Sequence, residues 1–407
     1  MKRIEATRRF DWIMGLLSAA FVGGLFLDGW AHSHGRVDDT FLTPWHAVLY
    51  GAWTACLLTL ALTLLYNVMR GRSWREALPE GYGRSLAGAL LWFAAGPADL
   101  LWHSLFGFEA GVQALLSPAH LLLALGLGLV VTGPIRAALS RDESAPAGWS
   151  RQFPAVLSMT ALLSAITFFM SLGHPLSNIP ADATRFALVR TQAAGWVELL
   201  QSAGVQGMLA WIAVFMAAVF FLLGNRLAPA GSLTFLLTVN GAAMALLYTR
   251  GYPVAPVAAL AVAGIVADLL RALLRPRADR PLAFRTFSFL VPAVITLAYF
   301  ASLALTRGVW WSVHVWTGTI VLSGAAGWLL GYVALPPRRA ARDGRGQSAC
   351  SALADDLGGE GFQRVPVVGS SQNAMLSRVL PGAGGAVARA TRGSPRPECS
   401  NASSGET

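Results

Sequence analysis

The chain has 407 residues, of which 55% are hydrophobic and only 13% charged, and its mean hydropathy is +0.53. A soluble domain carries about a quarter charged residues, so an ordinary soluble enzyme is excluded. The net charge of +10 would raise nucleic acid in a soluble protein, but in so apolar a chain it reads as a topology signal. Cys56, Cys350 and Cys399 are too few and too scattered for a disulfide framework or a thiolate zinc site.

Hydropathy predicts an all-α, polytopic membrane bundle of about ten spans, with eight or nine the alternatives. In chain order the spans are Asp11–Ala31, Pro44–Val68, Ser85–Leu105, Pro118–Leu139, Phe153–Gly173, Trp196–Gly224, Leu233–Thr249, Val254–Leu274, Phe287–Leu305 and Trp311–Leu335. The seventh is short and weakly flanked. The N-terminus and alternate connections hold seventeen Lys and Arg, whereas the opposite set holds only Arg36, Arg185, Arg190, Arg250 and Arg307. Positive residues mark the inner side, which predicts a plasma-membrane protein with both termini cytoplasmic. The stretch Asp28-Gly-Trp-Ala-His32-Ser-His34 is a poor cleavage site, so the first span reads as an uncleaved helix.

After the transmembrane domain of residues 1–336, the tail 337–407 is rich in Gly, Ser, Ala and Arg. It reads as disordered and cytoplasmic, with nine arginines available to anionic headgroups and no nucleic-acid module. The sequon at Asn401 carries no meaning on that side.

With this topology all seven histidines fall at the extracytoplasmic ends of helices. Two regions read alike. Asp28 and His32 close the first span and Thr43-Pro44-Trp45-His46 opens the second; Asp99 and His103 close the third and Ser117-Pro118-Ala119-His120 opens the fourth. A Ser or Thr before Pro is a preferred helix start, the hydroxyl capping free N–H groups and Pro occupying the first turn. Asp and His four apart share one helix face, so they can ligate one metal, or the carboxylate can orient the imidazole. Residues 1–70 and 84–140 therefore read as a duplicated helical hairpin. Asp28 and Asp99 lie in or at the edge of the hydrocarbon, where an unpaired carboxylate costs about 2.5–3.5 kcal/mol.

The predicted metal set is Asp28, His32, His46, Asp99, His103 and His120, with His34, Met170 and His174 as weaker members. Imidazole and carboxylate without thiolate suit copper, zinc or iron. The Asp-x3-His element followed by a His at the start of the next helix resembles, over under a tenth of the chain, the copper-binding pattern in the C subunit of particulate methane and ammonia monooxygenases. The duplication departs from that pattern. The resemblance implies copper, and with it an oxidoreductase.

Two other functions compete. A transporter or permease would use the internal repeat, the break at Pro97 and a polar stripe of Glu198, Ser202 and Gln206 expected to face inward. Non-covalent haem b would use His46 and His120, with Gly126 or Gly128 making room for the ring. Asp38, Asp39 and Glu109 read as solvated loop residues, and the His314 surroundings, Trp310, Trp311 and Trp316, as an interfacial aromatic belt. The expected partners are the lipid bilayer and a small molecule or metal ion.

Overall fold

The computed structural model describes residues 4–36, 43–107, 111–141, 148–184, 194–248 and 253–335. Asp38, Asp39, Glu109, Cys350, Cys399, Asn401 and the tail 337–407 lie outside the described residues. Among the described residues the chain is all-helical. The helices are α1 (Arg8–Ser33), α2 (Pro44–Met69), α3 (Gly83–Phe106), α4 (Val112–Leu116), α5 (Pro118–Val131), α6 (Gly133–Leu139) and α7 (Trp149–Phe169). They continue with α8 (Pro175–Asn178), α9 (Ala194–Gly224), α10 (Ser232–Tyr248), α11 (Val254–Leu274), α12 (Pro281–Thr306) and α13 (Val313–Ala334).

Eight of these helices are long and apolar enough to cross a bilayer, nine if α5 and α6 form one bent span, and α10 is a shorter apolar helix. Leu58, Leu62 and Leu65 on α2, Leu100 and Leu101 on α3 and Leu121 and Leu125 on α5 are exposed. Soluble monomers rarely expose apolar patches of this extent, whereas lipid tails are their natural solvent. The molecule is a multi-pass, membrane-type helical bundle. Its centre is α7, with 72% of its apolar window buried.

The fourth predicted span is broken. Thr132 alone separates α5 from α6, with a 40° bend, because Pro134, in the first turn of α6, supplies no N–H to continue the helix and disfavours helix in the residue before it. Gly133 also lies against Tyr82 and Ser85, and a Cβ there would meet Ser85 Oγ at 2.7 Å. Pro97, by contrast, lies inside a continuous α3.

Both predicted Pro starts form as expected. Thr43 Oγ1 accepts from His46 N–H at 3.1 Å and Ser117 Oγ from His120 N–H at 3.2 Å. Close approach then fixes the pairs: a Cβ on Gly24 would meet Leu49 Cα at 2.7 Å, and one on Gly126 would meet the Gly88 carbonyl at 2.9 Å. The missing side chains let α1 pack on α2 and α3 on α5, as small residues do in membranes.

Candidate metal centre

Two Asp–His–His groups form at helix ends. In each, three potential ligand atoms lie within 4.8 Å of one another. Asp28 at the end of α1 faces His32 one turn on, at 3.7 Å, and His46 from the first turn of α2, at 3.3 Å. Asp99 on α3 faces His103 at 3.5 Å and His120 from the first turn of α5 at 3.5 Å. In all four contacts the imidazole atom is Nε2. The spacing of four puts Asp and His on one face, and the Ser/Thr-Pro start aims the third ligand from the neighbouring helix.

The polar accounting within each group is unusual. Asp28 Oδ1 and Asp99 Oδ1 are buried with no hydrogen-bond partner among the described residues, although buried acceptors are as a rule satisfied. His103 Nδ1 lies 3.3 Å from the Gly107 carbonyl. A carbonyl only accepts, so Nδ1 carries a proton, and Nε2 meets Asp99 Oδ2 either as a second N–H or across a shared cation. Such an N–H to carbonyl bond is also how metal-ligating imidazoles are held in one tautomer. The Ser117 hydroxyl serves twice, as cap and as a 2.8 Å partner of His120 Nδ1. Each Asp–His–His group could bind a metal ion through one carboxylate and two imidazoles.

No protein-family profile, curated protein or solved structure matches this chain. The site therefore has to be read from its own chemistry.

The weaker members of the predicted set do not join it. The His34 ring stacks on Trp30 at 5.0 Å, and its Nδ1 lies 2.9 Å from the Trp30 carbonyl. His174 Nδ1 accepts from Leu176 N–H at 3.2 Å, capping α8, so Nε2 carries the proton and neither nitrogen offers a lone pair. The His174 ring packs edge-on against Trp211 at 5.0 Å, and complete burial pushes its pKa down to about 3. Met170 ends α7 as its C-cap. His314 is exposed in the first turn of α13.

Two expectations are corrected. Glu198, Ser202 and Gln206 are exposed rather than inward-facing. Trp196 and Leu199 near the start of α9 are exposed too, and further along Gly204 packs against Trp311 and Pro180. The haem geometry also loses its space: the site of a Cβ on Gly126 lies 3.1 Å from Trp92 Cβ, while Gly128 has no neighbour within 4 Å to enclose a ring.

Several polar residues were not singled out from sequence. Asp11 is buried, ion-paired with Arg141, and accepts from the Tyr82 hydroxyl at 2.7 Å. Arg307 pairs with the buried Asp182 at 3.0 Å, and the Thr184 N–H and hydroxyl complete that carboxylate. Asn240 accepts from Trp211 Nε1 at 3.2 Å and donates to Thr167 Oγ1 at 2.7 Å. Polar residues inside an apolar span were the available signal for Asp11 and Asn240; Asp182, in a loop, gave none. Tyr50 also escaped notice. It lies one turn after His46, with ring centroids 6.0 Å apart.

Proposed function

We propose that this is a plasma-membrane metalloprotein in which Asp28, His32 and His46, and separately Asp99, His103 and His120, each hold a divalent transition-metal ion at the extracytoplasmic face. The observation that carries the reading is that each group brings one carboxylate oxygen and two imidazole nitrogens, from two helices, within 4.8 Å of one another. A metal ion suits such a donor set. It also gives the two partnerless carboxylate oxygens a ligand and explains why carboxylates persist so near the hydrocarbon.

Three protein ligands leave a coordination position open, the arrangement a metal needs in order to act on a substrate. The nitrogen and oxygen donor set favours copper, with zinc and iron the alternatives, and a copper ion in an open site supports an oxidoreductase. The orientation with both termini cytoplasmic, and a duplicated hairpin as the origin of the two groups, belong to the same proposal.

Metal analysis of the detergent-purified protein tests it. Copper, zinc or iron in stoichiometric amount is expected, falling when His46 and His120 are changed to Ala. Protein that binds no transition metal, or whose metal content is indifferent to those changes, overturns the reading.

A further inference from the structure

The two Asp–His–His groups stand over one floor. Trp92 of α3 packs its ring against two helices, Phe21 of α1 at 5.4 Å and Tyr50 and Trp53 of α2 at 4.8 and 5.0 Å between centroids, and α5 abuts its Cβ at Gly126. Trp53 Nε1 ties the same layer to α3 by donating to the Ala89 carbonyl at 3.1 Å. Asp28 comes seven residues after Phe21, and Asp99 seven residues after Trp92. Seven residues are two helical turns, about 10 Å of rise and nearly the same face. His46 and His120 come down from the opposite direction, four residues before Tyr50 and six before Gly126. Both groups thus lie at matching height above the Trp92 layer, inside one cluster of four helices.

We infer that the two groups form a single binuclear centre, in which two divalent transition-metal ions sit side by side over the Trp92 floor and interact with each other. The inference rests on the metal reading above. It adds that the ions share one compartment, separated by about an interhelical spacing of 8–10 Å, so that a ligand or electron reaching one ion meets the other. Tyr50, one turn after His46 and packed on Trp92, belongs to the wall of that compartment.

Copper(II) titration of the full chain in detergent, followed by electron paramagnetic resonance, separates the possibilities. The expected result is two coppers per chain with a dipolar-broadened spectrum and a half-field transition. That transition is lost in Asp28→Asn, in Asp99→Asn and in unmodified protein carrying one copper or less, a reference that needs no variant to fold. Two coppers whose spectrum is the sum of the two single-site spectra overturns the binuclear centre and leaves the metal reading standing, as does a single copper. Absence of bound copper, zinc and iron removes both.

Discussion

The buried carboxylates fall into two groups, and the contrast locates the chemistry. Asp11 has Arg141 and the Tyr82 hydroxyl; Asp182 has Arg307 and Thr184; Asp268 has the Thr234 N–H and hydroxyl, with Arg271 at 3.6 Å. Each is held by an arginine and at least one hydroxyl, as a buried charge must be if it is only structural. Asp28 and Asp99 have imidazoles alone, at distances of 3.3–3.7 Å. Each keeps one buried oxygen without a hydrogen bond, as Asp268 Oδ1 does too, so what sets these two apart is that no arginine or hydroxyl stands among their partners in the described residues.

The sharpest way to break that comparison is to remove one carboxylate from each group. Asp11→Ala strands the buried Arg141 and should cost about 3–5 kcal/mol, measured by thermal unfolding in detergent. Asp99→Asn, measured without metal, should stay within about 1 kcal/mol of the parent, because its partners His103 and His120 can shed a proton rather than stay behind as stranded charges. Equal losses would put Asp99 among the structural carboxylates. Metal addition should work in the opposite sense: copper or zinc at a hundred times its Kd raises stability by about 2.7 kcal/mol, a gain absent after chelation and reduced in Asp99→Asn.

His174 offers a control, a buried imidazole whose role is packing. With a folded pKa of about 3 against an ordinary 6.5, the unfolded chain takes up the proton first as pH falls. Its contribution to stability is complete above about pH 6.5 and drains away towards pH 3. His174→Asn, which retains a side-chain acceptor for the α8 cap, should flatten the acid limb of a stability profile without altering metal content. Ser117→Ala should cost about 1 kcal/mol from the lost cap, together with about a 10–100-fold weaker metal affinity because His120 loses its Nδ1 partner. Isothermal titration reads the second effect, and an unchanged affinity would make Ser117 a cap alone.

Much of this was legible in the sequence. Asp-x3-His and Ser/Thr-Pro-x-His are short-range patterns, set by helical periodicity and by N-cap chemistry, and they picked out the six residues that the structure gathers into two groups of three. What was not legible depends on tertiary contact. The floor at Trp92 gathers residues from four helices, the Gly107 carbonyl that accepts from His103 Nδ1 is backbone, and the arginines of Asp11 and Asp182 lie more than a hundred residues away. The break at Thr132-Gly133-Pro134 was visible in composition but yielded to an apolar run that continued past it. The exposed face of Glu198 depends on which neighbours pack against α9, which hydropathy along one helix does not encode.

The most direct test of the metal centre is the metal-to-protein ratio of purified protein after loading with copper and removal of the excess. The account predicts two ions in the unmodified chain, one in His46→Ala, one in His120→Ala and none in the double variant. A ratio near zero in the unmodified chain, or one that stays at the same value across all four proteins, would contradict it.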